Sequence, residues 1–399
     1  MLITIVGGGQ LAKMLAEAGA ALGYRFSFLL EDQEEDVCVR DLGAVVRFHR
    51  EQDVAALYHQ LGQPDVVTVE KEAVDTDLLH RFKRLCCVHP DPEIIRICQH
   101  RGREKRALRS LDIHTAQSRE VESLTQLREA VEELGFPVIV KSCEHGYDGL
   151  NQWSLNCRQD IERQMSAVIF PEAVVEKRIN FDREVSLIAA RNSQGDQIHL
   201  PPTENVHRDG ILLTSIMPAL QLTSAHHAQL AEIADKLLSH WSYCGVLAVE
   251  CFIEGDRVLV NELAPRVHNS GHWTQSGAKT SQFEYHLRAI CGLELPEPVS
   301  APAAAMINVL GQKPGAYFKA RPDVDVQDYG KSVRPGRKMG HLNIIGASRT
   351  QLGKQVQAIV DQLYSGVGPS RRLPGNSKSG TSPRLAQRRR SRAASRLGR

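Results

Sequence analysis

Two apolar runs flank the turn sequence EGD at residues 254–256, and this pattern constrains the fold more than any other in the chain. The stretch GVLAVECFIEGDRVLVNELAP predicts a strand, a turn and a second strand. Glu250 and Glu262 are equally distant from residue 256, so an antiparallel hairpin centred there places them opposite each other on one face. Two opposed carboxylates repel unless a cation joins them. The pair is therefore a candidate Mg²⁺ site, provided that a phosphate supplies further ligands.

Two other interpretations of this region remain open. One carboxylate could pair with Arg266 at a solvated strand edge and bind no metal. His268 and His272 have the H-x₃-H spacing that suits zinc on a helix, but the intervening Asn-Ser-Gly favours a loop, and no third soft ligand is nearby.

Strands alternate with helices in the first part of the chain. Buried-strand patterns occur at LITIV (2–6), YRFSFLL (24–30), DVVTVE (65–70) and CCVHP (86–90). The first of them is followed by QLAKMLAEAGAALG, which has helical spacing. This alternation predicts a doubly wound parallel sheet of the α/β class over residues 1–96.

The turn after the first strand carries a dinucleotide-binding fingerprint. GGGQLA satisfies G-x-G-x-x-A with Gly7, Gly9 and Ala12, and Glu31 lies 19 residues beyond Ala12. Glycines there let backbone amides and a helix N-terminus approach an anion. The fingerprint alone leaves three possibilities: a tight turn that binds nothing, a site for another phosphate, or a site for NAD or FAD.

The central part of the chain joins a buried-strand lysine to a glycine-rich turn. FPVIVK ends on Lys141, a poor place for a charge unless an anion meets it. Arg101 and Lys105 lie one helical turn apart and could reach the same anion. GYDG supplies amides that could close over phosphate, VVEKRI resembles a strand that faces an adenine edge, and Glu184 is placed to hold ribose hydroxyls. Each feature alone also fits a structural role.

Short strands and hairpins after residue 96 indicate mixed α+β structure rather than more doubly wound sheet. We therefore expect a parallel-sheet domain at 1–96, a central α+β domain at 97–296, a small C-terminal domain at 297–365 and a tail at 366–399.

Charge is unevenly distributed along the 399 residues. Residues 366–399 hold ten Lys and Arg and no acid, which leaves 39 basic and 47 acidic residues, a net charge of −8, for the remainder. A basic run rich in Ser, Gly and Pro cannot bury a core and predicts a disordered tail. The remainder has no basic stripe with interleaved aromatic residues, so we expect no nucleic-acid binding by the folded part.

The cysteines and the N-terminus indicate a cytoplasmic protein. Nine cysteines without a CxxC pair suggest reduced thiols. No run reaches the roughly 18 apolar residues that span a bilayer. The N-terminal sequence reads as a strand and lacks the basic start of a signal peptide.

The order of these features resembles the ATP-grasp fold, in which ATP lies between two α+β subdomains and Mg²⁺ bridges its phosphates. More narrowly, NELAPRVHNSGHWT, GYDG, VEKRINFDREVS and RPGRKMGHLN resemble 5-(carboxyamino)imidazole ribonucleotide synthases from Met1 to about residue 350. The resemblance implies an ATP-dependent carbon–nitrogen ligase of purine biosynthesis, commonly a homodimer. Such enzymes carboxylate aminoimidazole ribonucleotide with ATP and bicarbonate through carboxyphosphate, a reaction that depends on positioning and charge neutralisation.

The resemblance also implies site residues, carried over by position. The residues expected to bind ATP are Arg101, Lys141, Gly146, Tyr147, Asp148, Gly149, Leu150, Asn151, Gln152, Glu176, Lys177, Arg178, Ile179, Glu184, His207, Asn261 and Glu262. Those expected to face the ribonucleotide are Gln10, Leu11, Glu70, Glu72, Lys331 and Arg337. Glu250 and Glu262 are expected to hold Mg²⁺, and Asp148, Arg266, His268 and Asn269 to surround the amine and bicarbonate.

Departures from the family pattern leave two rival functions open. The loop reads GYDGLNQ where the family usually has Gly-Tyr-Asp-Gly-Arg/Lys-Gly-Gln, so Leu150 removes a positive charge and Asn151 a hinge glycine. Upstream, SCEH replaces a glycine-containing run. The rivals are another ATP-grasp ligase and a catalytically impaired nucleotide-binding homologue.

Overall fold

A computed structural model describes residues 1–49, 52–144, 151–165 and 170–365. Within these ranges the strands form three sheets of five, four and nine strands. The predicted tail at 366–399 lies outside the described residues.

The first sheet is entirely parallel, with the strand order β3-β2-β1-β4-β5. Its strands are β1 (Leu2–Val6), β2 (Arg25–Glu31), β3 (Ala44–Phe48), β4 (Val66–Val69) and β5 (Cys87–Val88). The helices around it are α1 (Gln10–Ala21), α2 (Val54–Gln60), α3 (Thr76–Phe82) and α4 (Pro92–Cys98). The doubly wound prediction is confirmed. Sequence analysis did not predict the edge strand β3, which is only partly buried and lacks a continuous apolar run.

The second sheet is a four-stranded antiparallel unit ordered β6-β9-β7-β8. Helix α5 (Arg101–Ser110) leads into it. Its elements are β6 (Ser118–Val121), α6 (Leu124–Leu134), β7 (Val138–Ser142), β8 (Gln152–Leu155), α7 (Arg158–Met165) and β9 (Ala173–Lys177). Valines of β7 and β9 pack against α6 and α7, which makes this unit a small α+β subdomain.

The third sheet contains nine strands in the order β15-β14-β10-β12-β13-β16-β18-β17, with β11 beside β10. The strands are β10 (Arg183–Arg191), β11 (Gln197–His199), β12 (Thr203–Arg208), β13 (Ile211–Met217), β14 (Gly245–Glu254), β15 (Arg257–Ala264), β16 (Ala303–Leu310), β17 (Asp325–Asp328) and β18 (Lys338–Gly346). The helices are α8 (Ser224–His240), α9 (Thr274–Gly277), α10 (Gln282–Ile290), α11 (Ala316–Lys319) and α12 (Arg349–Tyr364), with a 3₁₀ turn at Asn269–Gly271. Strands of the segment predicted as a separate C-terminal domain thus extend the central sheet through the β13–β16 pair.

The β14–β15 hairpin pairs Glu250 with Glu262, as predicted, but for a different reason. The turn is two residues long, because Glu254 pairs with Arg257, and Gly255 takes a φ of +58°. A regular ladder from that turn would place Asn261 opposite Glu250. A β-bulge at Asn261 adds one residue to β15 and restores the carboxylate pair.

Helix α10 fastens the first sheet to the third. Phe283 and Leu287 of α10 lie in the same buried cluster as Ile5 and Phe28 of the parallel sheet. This contact brings the carboxyl ends of β1 and β4, where the strand order reverses, towards the β14–β15 hairpin. Ligands of open parallel sheets bind at such reversal points. In the described part of the chain, no helix combines the length and apolarity that a membrane crossing requires.

The packing of α1 against β2 and α10 depends on a glycine in α1. A Cβ on Gly19 would lie 2.2 Å from Phe26 Cζ and 3.0 Å from Leu287 Cδ1. We expect Gly19→Ala to lower the free energy of unfolding by about 1–3 kcal/mol through overpacking, despite the higher helix propensity of Ala. Urea denaturation measures the change.

Gly353 in α12 is the matched control, because the atom nearest to its added Cβ is the flexible end of Arg349, at 3.0 Å. Gly353→Ala should raise the free energy of unfolding by up to about 1 kcal/mol. Equal effects of the two substitutions would contradict the proposed importance of close packing around Gly19.

Candidate active site

Each carboxylate of the hairpin pair contacts a nitrogenous side chain. His268 Nε2 lies 3.0 Å from Glu250 Oε1, and Arg101 Nη1 lies 2.9 Å from Glu262 Oε2. Burial favours the neutral form of Glu250, but the His268 imidazole outweighs it and lowers the pKa of the carboxyl below its ordinary value. Glu250 is therefore ionised at neutral pH. Two carboxylates on adjacent strands offer the hard oxygen ligands that Mg²⁺ prefers, so the residues fit that ion.

The zinc alternative receives no support from the placement of the two histidines. His272 is buried, its Nδ1 lies 3.1 Å from Gln282 Nε2, and its ring lies 4.6 Å from that of His341. His268 instead faces Glu250. The H-x₃-H spacing reflects a turn between two differently oriented rings.

A buried ion cluster explains the strand-end lysine. Lys141 Nζ lies 2.7 Å from Glu176 Oε2, and Lys105 Nζ lies 2.9 Å from Glu176 Oε1. Burial alone would raise the pKa of Glu176, but the two ammonium groups lower it to about 2. The anion that meets Lys141 is thus a carboxylate of the chain. The helical spacing suggested that Lys105 and Arg101 reach the same external anion. The structure does not support this for Lys105, because its side chain is only 1% exposed.

Asn261 connects this cluster to the hairpin. Its side-chain Oδ1 accepts a hydrogen bond from Lys141 Nζ at 3.0 Å, and its carbonyl accepts one from Lys105 Nζ at 3.2 Å. Asn261 is the extra residue of the bulge, so the lysines stabilise the distortion that aligns Glu250 with Glu262.

A further buried acid lies behind the hairpin. Glu104 of α5 is 3% exposed, and its Oε2 accepts a hydrogen bond from Leu263 N at 3.1 Å. Burial raises the pKa of Glu104 to about 7, and the negative charge of Glu262 contributes to the shift. Sequence analysis missed this residue, because nothing in RGREKRALRSL distinguishes a buried acid from an exposed one.

Polar side chains form one face of the third sheet next to the carboxylates. Glu184 contacts His207 Nδ1, and Ser186 Oγ donates to Ser270 Oγ at 2.7 Å. Partial burial disfavours the imidazolium, but Glu184 outweighs it and raises the pKa of His207 to about 9. His207 therefore carries a positive charge at neutral pH. The predicted ribose ligand Glu184 and the predicted ATP ligand His207 thus form an ion pair beside the carboxylates.

Several predicted ATP ligands lie in or beside the glycine loop. Gly146, Tyr147, Asp148, Gly149 and Leu150 lie outside the described residues. At its end, Asn151 has a φ of +52° and its carbonyl accepts from Ser142 N at 3.0 Å, while Gln152 pairs with Lys141. The C-terminal end of this loop is thus hydrogen-bonded to β7, the strand that carries Lys141.

The charged side chains at the end of β9 and just after it contact other parts of the chain. Lys177 Nζ donates to the carbonyls of Gly135 and Phe136 at 3.1 Å each, and Arg178 Nη1 donates to Asn156 Oδ1 at 3.0 Å. Ile179 follows the strand and is half-buried. The side chains of Glu176 and Lys177 are therefore engaged within the protein. The main-chain N–H groups of Lys177 and Arg178 also have partners, at Gln117 O (2.8 Å) and Pro137 O (3.1 Å).

The glycine turn after β1 is occupied by carboxylates of the chain itself. Gly9 N donates to Glu70 Oε1 at 3.0 Å, and Gly8 N donates to Glu34 Oε1 at 2.9 Å. A Cβ on Gly7 or Gly9 would lie 2.5–2.6 Å from Glu70, and Gly7 has a φ of +116°, so both positions require glycine. Burial, with the nearby Glu34, raises the pKa of Glu70. The turn approaches an acidic side chain rather than a pyrophosphate, which argues against the NAD or FAD interpretation.

Basic residues of the 331–337 loop face this turn from the other end of the chain. Lys331 Nζ contacts Gln10 Oε1. Arg337 Nη2 and Arg334 Nη2 lie 2.8 Å and 2.9 Å from the two carboxylate oxygens of Glu35. Sequence analysis missed Arg334 and Glu35, because their proximity depends on packing between segments 299 residues apart.

Leu11, which the resemblance placed among the substrate ligands, has its side chain in the hydrophobic core, 7% exposed. Its main chain at the start of α1 is the part left for substrate.

Arg266 and Asn269 present buried polar atoms without a partner in the described structure. Arg266 Nη2 lies 2.7 Å from Glu72 Oε1 and Nη1 donates to Val267 O at 2.8 Å, but Nε has no partner there. Asn269 is 8% exposed, and neither its Oδ1 nor its Nδ2 has one. Buried polar groups are normally hydrogen-bonded, so these atoms indicate a polar ligand.

Glu104 gives stability a defined pH dependence. Its folded pKa is raised above its ordinary value of 4.5 to about 7, so its favourable contribution is complete below pH 4.5 and is lost as pH rises to 7. We expect Glu104→Gln, which keeps an acceptor for Leu263 N, to be more stable than the wild type at pH 8 by about 3 kcal/mol. Urea denaturation at pH 5 and pH 8 checks this, and an advantage independent of pH would contradict it.

Comparison with protein-family models matches three consecutive parts of the chain. Residues 1–99 match a ribonucleotide synthetase preATP-grasp domain, and residues 106–283 match an ATP-grasp domain. Residues 304–355 match a phosphoribosylaminoimidazole carboxylase C-terminal domain.

Individual proteins match over nearly the whole chain. The N5-carboxyaminoimidazole ribonucleotide synthase of Vibrio cholerae serotype O1 is 37% identical over 374 residues, which cover 91% of this chain and 96% of that protein. The crystal structure of N5-carboxyaminoimidazole ribonucleotide synthetase from Thermus thermophilus is 34% identical with a TM-score of 0.84, covering 92% of this chain and all of that one. The Aspergillus clavatus synthase in complex with ADP and 5-aminoimidazole ribonucleotide is 28% identical with a TM-score of 0.80, covering 91% and 98%. The chain therefore belongs to the N5-carboxyaminoimidazole ribonucleotide synthase family, ATP-dependent ligases of the ATP-grasp superfamily.

Proposed function

We propose that this chain carboxylates the exocyclic amine of 5-aminoimidazole ribonucleotide with ATP and bicarbonate, through carboxyphosphate. The observation that carries the proposal is the set of three buried atoms on Arg266 and Asn269 that have no hydrogen-bond partner among the described residues, in the segment that follows the carboxylate hairpin. A guanidinium and an amide are suitable donors for an anion such as bicarbonate or carboxyphosphate. The Aspergillus clavatus relative was solved with ADP and 5-aminoimidazole ribonucleotide, which supports the choice of substrates.

We propose that ATP lies between the four-stranded sheet and the hairpin face of the nine-stranded sheet. Lys141 and Arg101, which pair with Glu176 and Glu262 in the chain, would neutralise phosphate charge. Glu184 and His207 on the nine-stranded sheet would face the sugar and base. Main-chain groups after Glu176 would contact the adenine edge. Positioning and electrostatic stabilisation supply most of the rate in phosphoryl transfer, and this charge distribution suits that task.

Glu250 and Glu262, with Asn261 beside them, are the residues that would hold Mg²⁺. The ion would neutralise charge on the ATP phosphates. Within the chain, Arg101 pairs with Glu262 and His268 pairs with Glu250, so the two carboxylates are held by different partners, which limits their mutual repulsion.

We assign the ribonucleotide to the crevice at the ends of β1 and β4. Lys331 and Arg337, joined by Arg334, would bind its 5′-phosphate, and Gln10 fixes Lys331 from the glycine turn. Glu70 and Glu72 would face the aminoimidazole. Because Glu72 orients Arg266, the ribonucleotide site and the bicarbonate site share one ion pair.

Arg266, His268 and Asn269, with Asp148 of the glycine loop, are the proposed catalytic residues. The fixed guanidinium of Arg266 would stabilise the anionic carboxyphosphate, and Asn269 would orient bicarbonate or the amine. His268 is hydrogen-bonded to Ser270 through Nδ1 and faces Glu250 through Nε2, so its ring is held in one orientation.

A catalytically impaired homologue remains the second candidate, because Leu150 and Asn151 depart from the family loop. The described cation and carboxylate set is compatible with activity and favours the first candidate. We further propose a cytoplasmic homodimer whose domains span residues 1–96, 97–296 and 297–365.

The first test is ADP release with ATP, Mg²⁺ and bicarbonate. We expect 5-aminoimidazole ribonucleotide to stimulate release strongly in the wild type. Glu262→Gln should lower the stimulated kcat by about 10²-fold or more, because it removes charge where phosphoryl transfer needs it. A coupled assay for ADP provides the measurement.

Glu254→Gln, at the tip of the same hairpin where the carboxylate pairs with Arg257, serves as the control and should retain the wild-type rate. Absence of stimulation in the wild type, with ATP still bound, would favour the impaired homologue.

A second test concerns the carboxylate of Glu35 between Arg334 and Arg337. A phosphate that binds these guanidinium groups competes with Glu35, so Glu35→Gln should lower the KM for the ribonucleotide by about two- to tenfold. Asp32→Asn, which removes an acid of the same loop that pairs with His49, is the control and should leave that KM unchanged.

Arg337→Gln should raise the same KM. An unchanged or higher KM in Glu35→Gln would exclude Arg334 and Arg337 as the phosphate site.

A further inference from the structure

We propose that Gln282 is a positioning residue for His268, an inference that rests on the proposed function because it concerns the same site. Gln282 is the first residue of α10 and is completely buried. Gln282 is not among the predicted ligands, and it lies outside residues 261–274, whose sequence NELAPRVHNSGHWT resembles the family. Its side chain nevertheless forms hydrogen bonds with the main chain of this segment, at His268.

The Gln282 amide makes two hydrogen bonds to the main chain of one residue. Its Oε1 accepts from His268 N at 2.9 Å, and its Nε2 donates to His268 O at 2.7 Å. The pair imitates the main-chain hydrogen bonds of a neighbouring strand, although residue 268 lies in an irregular loop. The amide therefore fixes both the position and the tilt of the peptide groups on either side of His268.

The His268 N–H determines the orientation of the amide and thereby a third contact. The His268 N–H must meet an oxygen, so Nε2 necessarily faces His268 O and His272 Nδ1, the latter at 3.1 Å. His272 can accept there because burial, together with the nearby His341, keeps its pKa well below the ordinary value and the ring neutral. A glutamine satisfies all three partners, whereas a carboxylate would oppose the His268 carbonyl.

The surrounding residues leave no room for a different arrangement. Gln282 N donates to Thr274 Oγ1 at 3.0 Å, and Thr274 Oγ1 donates to Gly271 O at 2.6 Å. A Cβ on Gly271 would lie 2.5 Å from Gln282 Oε1, so the glycine of the NSG turn is required by the approach of this amide.

The consequence for catalysis lies in the His268 ring. Its Nε2 is 3.0 Å from Glu250 Oε1 and its Nδ1 is 2.9 Å from Ser270 Oγ. Loss of the amide contacts would release the His268 main chain and move the ring relative to Glu250. A displacement of about 1 Å at a reacting centre costs up to about 10²-fold in rate.

The experiment compares three variants with a matched control. Gln282→Met removes all three hydrogen bonds at similar volume, Gly271→Ala displaces the amide without changing it, and Gln282→Glu keeps the shape but removes the donor. The control is Gln229→Met. Gln229 of α8 also forms hydrogen bonds to the main chain through both amide atoms, because Nε2 donates to Asp256 O at 2.9 Å and Oε1 accepts from Val258 N at 3.1 Å, but it does so at the hairpin tip.

Ribonucleotide-stimulated ADP release is measured well below the thermal unfolding temperature of each variant. We expect kcat to fall about 10- to 100-fold in Gln282→Met and Gly271→Ala, with the KM values for ATP and ribonucleotide near those of the wild type. Gln229→Met should retain the wild-type kcat. Loss of stability alone would not lower kcat in a fully folded enzyme.

Gln282→Glu adds a pH readout. Burial raises the pKa of the new carboxyl, and its protonated form can donate to His268 O. The ratio of variant kcat to wild-type kcat should therefore rise as pH falls. The inference would be overturned if the folded Gly271→Ala and Gln282→Glu variants kept the wild-type kcat and the Gln282→Glu ratio showed no pH trend. That result would leave the proposed function intact. Absence of ribonucleotide stimulation in the wild type would overturn both.

Discussion

The buried carboxylate of Glu176 between Lys105 and Lys141 is the interaction on which the rest of the site depends. The three side chains come from β9, α5 and β7, and both ammonium groups also reach Asn261 on β15. One cluster thus joins the four-stranded sheet to the hairpin of the nine-stranded sheet. Removing one partner from such a cluster leaves a buried charge uncompensated and typically costs about 3–5 kcal/mol. The relative placement of the two subdomains is therefore strongly specified where the nucleotide is proposed to lie.

The same cluster controls the geometry of the carboxylate pair. A two-residue turn alone would set Glu250 against Asn261, and the bulge that corrects this needs partners for the displaced Asn261 groups. The lysines supply them. The alignment of Glu250 with Glu262 is thus a tertiary effect, although both residues belong to one local hairpin.

Carboxylates of the chain already contact many of the groups that could bind phosphate. Glu34 and Glu70 take the amides of the glycine turn, and Glu35 bridges two guanidinium groups of the 331–337 loop. Under the proposed function, binding of a phosphorylated substrate is an exchange of one anion for another. At the 331–337 loop the displaced anion is Glu35, whereas the proposed site leaves the glycine-turn amides bonded to Glu34 and Glu70.

Local sequence signals predicted the parts of the fold that depend on local physics. Continuous apolar runs indicated buried parallel strands, and apolar strands around EGD indicated a hairpin. The partly exposed β3 carried no such signal and was missed. Gln282 was missed as well, because a buried glutamine on a helix has no distinctive neighbours in sequence.

The sequence by itself determined the alternation of strands and helices that gives the doubly wound N-terminal sheet, the presence of a carboxylate hairpin and the resemblance that led to the family. Those features follow from side-chain periodicity and from residue types at fixed spacing. The tertiary structure decided which charges meet: Lys141 with Glu176, Arg266 with Glu72, Arg337 with Glu35, and Gln282 with His268. These pairings join segments that are distant in sequence. They form because a buried polar group without a partner costs free energy, and the groups become buried only when the sheets pack together.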